Sequence, residues 1–387
     1  MQDVSLIQCR NYESANVTEA LDRVVAPFGG WAGLVKPGDR VLLKPNLLGP
    51  RPPEAAATTH PMIVEAVARR LLEAGATVKV GDSSGGIIGG MYPTEETLTV
   101  SGIRAVCERL GIEAVNFDTF GTETIPVQNG FISELIVSRA ALEADKIINV
   151  AKLKTHTGTL MTGGVKNMFG VVPGTRKTGY HREAGFSGKF EQILVDIYRT
   201  VTPDFTIVDA VTAMEGNGPA NGSPKPVGLI MGGPNAFAVD AIGCRIMGLD
   251  PSRVLHQKLG VEQGLGPNPA QVNVLGDPVR LPVTPRFALP SNWFSQNTPT
   301  WVTGWILRAL KYSPECDPQK CIQCEMCVDS CPVEAIRFNE QGQMLFAREK
   351  CIECFCCQEF CPEGAIALKQ AGLMGRVITA VARIAAR

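Results

Sequence analysis

Two runs of cysteine with one spacing constrain this chain more than any other feature: Cys321-x2-Cys324-x2-Cys327-x3-Cys331-Pro332, then Cys351-x2-Cys354-x2-Cys357-x3-Cys361-Pro362. The repeat marks an internal duplication in a stretch too small to bury a sufficient core, so bound metal must supply its cohesion. Short gaps let three thiolates converge on one cluster face, while the fourth cysteine, after a longer gap, reaches across to the other cluster. That is the bacterial-type ligand run for two [4Fe–4S] clusters. The expected sets are Cys321, Cys324, Cys327 and Cys361 for one cluster, and Cys351, Cys354, Cys357 and Cys331 for the other. Each proline follows a crossing cysteine, where a fixed φ and a missing N–H suit a turn out of the loop. Zinc takes ligands in pairs rather than in two runs of four. Disulfides need an oxidising compartment, and Met1-Gln2-Asp3-Val4 lacks the basic and apolar regions of a leader. A cytoplasmic, anaerobic setting is therefore the expectation.

The full chain of 387 residues has room for a large core beside the small module. A formal charge of −1 leaves no basic excess to neutralise phosphates, which argues against nucleic acid as a partner. No long uncharged apolar run is present, so no transmembrane segment is expected. Two segments have amphipathic character suited to peripheral membrane contact: Trp293 to Lys311, and the basic stretch from Leu373 to Arg387. The alternative is that both pack on the protein itself or on a second subunit of an oligomer.

Strand-like and helix-like segments alternate over the first 280 residues. Val41–Leu43, Thr77–Val80, Ala114–Phe117, Lys146–Val150, Phe205–Val208, Val227–Met231 and Val272–Leu275 read as strands. Helices are expected at Ile103–Leu110, Lys189–Thr200 and Ala236–Met247, with another opening at Thr59-His60-Pro61, where Thr59 is the expected cap. Apolar strands separated by helices predict a doubly wound, mostly parallel α/β sheet covered on both faces. The expected organisation is an α/β domain over 1–280, a linker with a short amphipathic helix over 281–315, a small α+β ferredoxin-like domain over 316–370, and a basic tail helix over 371–387.

In such sheets ligands bind at the carboxyl ends of the strands, where the polar loops fall. They are Lys44-Pro45-Asn46, Gly81-Asp82-Ser83-Ser84-Gly85, Lys152-Leu153-Lys154-Thr155-His156, Val165-Lys166-Asn167-Met168-Phe169-Gly170, and the stretch from Asp209 to Glu215-Gly216-Asn217-Gly218-Pro219. Together with Thr59-His60-Pro61 and in this order, they resemble the family labelled domain of unknown function 362, over about residues 1–255. Members of that family are sometimes fused to a ferredoxin-type module. The resemblance implies an architecture rather than a reaction.

Candidate site residues follow from these loops. His156, Lys154, Lys152 and His60 are candidates for proton transfer and for stabilising developing charge. Lys44, Asn46, Asp82, Ser83, Ser84, Gly85, Lys166, Asn167, Asp209, Glu215 and Asn217 are candidates for holding a small anionic ligand or a further cofactor. Each also has a plain structural reading: His60 supports a helix start, the aspartates cap helices or turns, and the glycines form an ordinary loop. The glycine-rich loop matches neither nucleotide-binding pattern. Cys356 lies outside both runs and is expected not to be a ligand; Cys9, Cys107 and Cys244 are expected to be buried.

Three functions remain open at this level. One is an iron–sulfur oxidoreductase that passes electrons to a small anionic substrate or cofactor in the α/β cleft. Another is an electron-transfer adaptor serving a redox partner protein, without catalysis of its own. The third is a non-redox enzyme, such as a lyase, whose clusters are structural or sensory.

Overall fold

The computed structural model describes residues 2–85, 93–184, 189–290, 312–352 and 354–370. The expected interfacial segment at 293–311 and the tail at 371–387 lie outside the described residues.

Among its described residues the α/β domain has the strands β1 (Asp3–Gln8), β2 (Arg40–Pro45), β3 (Thr77–Asp82), β4 (Glu113–Asn116), β5 (Thr122–Pro126), β6 (Glu134–Ser138), β7 (Lys146–His156), β8 (Leu160–Thr162), β9 (Phe205–Asn217), β10 (Asn221–Gly233) and β11 (Asn273–Gly276). The main sheet runs β11-β1-β10-β9-β7-β2-β3-β4, with β8 paired to β7 and β5–β6 forming a separate hairpin. Strands β9, β7, β2, β3 and β4 are mutually parallel. Both junctions of β10, with β9 and with β1, are antiparallel.

Alternation along the strands explains the two covered faces. Val41 and Leu43 join one apolar cluster with Leu21, Val64, Leu71 and Val106 from helices Ser14–Val25, Pro61–Glu73 and Ile103–Leu110. Leu42, between them, points the other way, to a cluster that includes Val165, Ile193 and Ile197. The sheet is thus doubly wound.

Helices Ile103–Leu110, Lys189–Thr200 and Ala236–Met247 begin and end where periodicity placed them. At the helix Pro61–Glu73 the expected cap is corrected by one residue. His60 is the N-cap, its Nδ1 accepting from Met62 N at 3.2 Å. Thr59 instead ties strands together, accepting from Asn46 N and donating to Val150 O. Strands β7 and β9 run well beyond the apolar segments that announced them, into the lysine-bearing and Glu215 stretches.

The small module has two hairpin-like sheets. β12 (Tyr312–Cys316) pairs with β15 (Ile366–Gln370), and β13 (Ile336–Phe338) with β14 (Met344–Phe346). Single helical turns at Met326–Asp329 and Cys356–Glu359 occupy equivalent places in the two halves of the duplication. Its apolar cluster is small and includes several of the cysteines.

Candidate functional site: a cavity between the two modules

Lys44, Asp82, Lys152 and Asp209 come to one side of the sheet, where parallel β2 and β3 end and the neighbouring β7 and β9 run on. They do not form one site. Each lysine is consumed by an aspartate, giving two buried pairs at Lys44 Nζ–Asp82 Oδ1 2.8 Å and Lys152 Nζ–Asp209 Oδ2 2.9 Å.

The second pair belongs to a closed network. Tyr12 Oη donates to Asp209 Oδ1 at 2.9 Å and accepts from Lys152 Nζ at 2.9 Å and from Thr212 N at 3.0 Å. His60 stacks on Tyr12 with ring centroids 3.5 Å apart, and its backbone N–H donates to Asp209 Oδ2. Burial pushes His60 down to about 4, so its ring is neutral at pH 7. Expected as site residues, Lys152, His60 and Asp209 are here bound to one another inside the fold. Tyr12, which no sequence motif flagged, is the residue that joins them.

His156 is buried as well, and its Nδ1 accepts from Gly158 N and Thr159 N, fixing the turn between β7 and β8. Burial first, then neighbouring Lys166 and Lys154, hold its pKa well below the ordinary histidine value. Glu215 pairs with Lys225 at 2.9 Å and accepts from Ala288 N, clamping the 286–288 segment. Neither residue lines the cavity described next, which corrects their expected place in a shared cleft. Asn217 closes the long β9–β10 hairpin.

The remaining candidates do converge. Asn46, Asp82, Ser83, Gly85, Lys154, Lys166 and Asn167 line a cavity of about 80 Å³, together with Thr162, Lys177, His181 and the apolar Leu47, Leu48 and Phe169. One water needs only ~10–15 Å³, so a small organic molecule has room. The opposite wall comes from the small module: Ser330, Cys356 and Phe360. Three further contacts seat that module. Arg51 donates to Cys361 O and Pro362 O, Asn221 Nδ2 donates to Gln358 O at 2.6 Å, and the Phe360 ring lies against Gly85. A Cβ on Gly85 would stand 3.2 Å from that ring, so the glycine permits the close approach.

Inside the cavity Lys154 and Lys177 donate to uncharged groups of the fold. Lys154 Nζ donates to Asn46 Oδ1 and Ala57 O, both at 2.7 Å. Lys177, from the helix Gly174–Ala184, donates to Ser83 Oγ at 2.8 Å and Ser84 O at 2.9 Å. Burial lowers Lys177 to about 8, with Asp82 and Asp118 opposing. Lys166 and Lys177 both stand over the Phe169 ring. Among the described residues Asp82 is the single carboxylate of the lining, and Lys44 pairs with it; burial pushes Asp82 up and Lys44 down. A Cβ on Gly170 would collide with that pair, which explains a glycine there.

Ser83, Ser84 and Gly85 are candidates for holding an anion, which they could do through backbone N–H groups. Ser83 N donates to Asp82 Oδ1 and Gly170 O, and Ser84 N to Thr94 Oγ1, so these two amides serve the fold instead. Ser84 does not line the cavity; its hydroxyl lies 3.0 Å from Thr94 Oγ1, which donates its one proton to Asp118 Oδ2. By contrast, Thr162 Oγ1 and Asn167 Oδ1 are buried in the lining with no protein partner among the described residues.

The cysteines fall into two groups of four. Cys321, Cys324, Cys327 and Cys361 line one small cavity of the module, and Cys331, Cys351, Cys354 and Cys357 line the other. Sγ of each far-reaching cysteine accepts a backbone amide, Ala335 N to Cys331 and Ala365 N to Cys361, both at 3.1 Å. Amide donors of this kind favour thiolate over thiol. Four thiols of the runs and an amide donor per cavity suit a cubane cluster at each; Cys316, outside the runs, also lines the first cavity. Among the described residues no three His, Cys, Asp or Glu side chains converge as a single-ion site. Cys9, Cys107 and Cys244 are buried in the α/β domain; Cys356 is 3% exposed.

The model of a domain of unknown function, DUF362, matches residues 41–245, and that of a 4Fe-4S dicluster domain matches residues 320–365. A thylakoid-associated protein of Synechocystis sp. is 36% identical over 295 residues, covering 76% of this chain and 87% of that protein. The lactate racemase apoprotein from Thermoanaerobacterium thermosaccharolyticum superposes with a TM-score of 0.35 and 14% identity, over 52% of this chain and 49% of that one. Among the described residues no helix is long and apolar enough to cross a membrane. The sheet topology, the order of its polar loops and the duplicated cysteine module agree with the two family matches: the chain belongs to the DUF362 family and carries a 4Fe-4S dicluster domain.

Proposed function

We propose that the chain is an iron–sulfur oxidoreductase whose substrate or further cofactor is a small anion held between the two modules. One observation carries this reading: the cavity lined by lysines is closed by residues that each precede a cysteine of the runs. Ser330 precedes Cys331, Cys356 precedes Cys357, and Phe360 precedes Cys361. When bound, two clusters supply one-electron transfer. A ligand in the cavity would then lie beside the cluster ligands, shielded from water by Phe360 and Leu48.

The side chains define what such a ligand looks like. Lys154, Lys166 and Lys177 bring three cationic side chains to the lining, so an anionic occupant gains more from them than a neutral one. Asn167 Oδ1 and Thr162 Oγ1 suit a hydroxyl or amino group on the same molecule. Lys177, held near neutrality by burial, is suited to deliver a proton as charge builds on the ligand. Electrons reach the clusters from a redox partner protein. The thylakoid association of the Synechocystis relative favours work at a membrane surface, reached from the cytoplasm.

The test uses anaerobic holoprotein, reduced chemically and freed of reductant, mixed with a cell extract split by size. The small-molecule filtrate is expected to re-oxidise the clusters, and the Lys154→Met variant to lose at least ten-fold in that rate. Re-oxidation by the protein fraction alone would replace this reading with the adaptor.

A further inference from the structure

The junction between the modules places a cation on the backbone of a cluster-ligand loop. Arg51, in the loop after β2, donates from one guanidinium nitrogen to Pro362 O at 3.2 Å and to Cys361 O at 3.5 Å. It is half-buried, and among the described residues it forms no ion pair. The negative groups that act on it are the Cys361 thiolate and Glu363. Burial pushes the guanidinium below its ordinary value, yet arginine starts so high that the charge persists. Asn221, from the β9–β10 hairpin, holds the same loop through Gln358 O but carries no charge.

We infer that Arg51 is a tuning residue, donated by the α/β domain, that raises the reduction potential of the cluster held by Cys321, Cys324, Cys327 and Cys361. Reduction of that cluster adds one electron and one negative charge. A fixed cation at the carbonyl end of its Cys361 ligand stabilises the reduced form more than the oxidised one, and partial burial limits screening by solvent. The effect falls on one cluster of the two, because the guanidinium contacts the loop of Cys361. Docking of the module therefore sets the direction of electron flow as well as closing the cavity. The inference rests on the cluster assignment and is independent of what the cavity binds.

The experiment is an anaerobic redox titration of the holoprotein, followed by electron paramagnetic resonance. The Arg51→Gln variant, which keeps N–H donors but not the charge, is expected to lower the reduction equilibrium constant of one cluster about tenfold, about 59 mV for a one-electron couple. Arg51→Lys should stay within about threefold of the parent. In a Cys324→Ala background, where that cluster is lost, adding Arg51→Gln should leave the surviving signal unmoved. Asn221→Ala loosens the same junction without touching charge and should leave both potentials in place. Should Arg51→Gln fail to assemble, Glu363→Gln gives the opposite sign and must raise the same potential. The inference is overturned by unchanged potentials in Arg51→Gln, by an equal shift in Asn221→Ala, by a shift of the surviving cluster, or by no rise in Glu363→Gln.

Discussion

Replacing Cys331 with alanine is expected to remove the cluster held by Cys351, Cys354 and Cys357, and to leave the cluster of its own run in place. Iron should fall from about eight to about four atoms per chain. The reason is spatial: Cys331 lines the cavity of the second run, while Cys361 lines that of the first. Cys361→Ala should do the converse. Iron analysis with cluster spectroscopy decides the matter. Loss of the Cys321 cluster in Cys331→Ala would show that each run is self-contained.

Asp209→Ala should be the most damaging single change in the α/β domain, costing about 3–5 kcal/mol of folding stability. It strands Lys152 without a counter-charge and takes an acceptor from Tyr12 Oη and from the His60 backbone N–H. Much of the loss comes from leaving a buried charge unpaired, so the double variant Asp209→Leu with Lys152→Met should recover most of it. Chemical denaturation of the anaerobic holoprotein measures both. If the single variant is as stable as the parent, the network does not hold β7 to β9 as described.

What could be read from the residues, and what could not, has a physical pattern. Helices 103–110, 189–200 and 236–247 were legible because their apolar faces repeat with helical period and pack directly on the sheet. Strands β7 and β9 were read short, because Lys152 and Lys154 look like loop residues until Asp209 and Asn46 are seen to receive them. The same blind spot merged two neighbourhoods into one. Every polar loop belongs to the correct sheet edge, but pairing decides which lysine faces a ligand. Lys177 escaped notice because its helix, Gly174–Ala184, is polar and has no clear apolar stripe to announce it. Tyr12 precedes the first helix in a stretch without a motif. Cys356 was legible as a neighbour of the cluster ligands, though nothing in the sequence said that it would roof a cavity on another domain together with Phe360.

The most direct measurement of the central claim is an anaerobic crystal structure of the holoprotein as purified. The account predicts two clusters on the crossed cysteine sets, the module seated through Arg51 and Phe360, and an anionic molecule between Lys154, Lys166 and Lys177. Clusters turned to open solvent, with the module detached from Gly85 and no anion among the lysines, would contradict it.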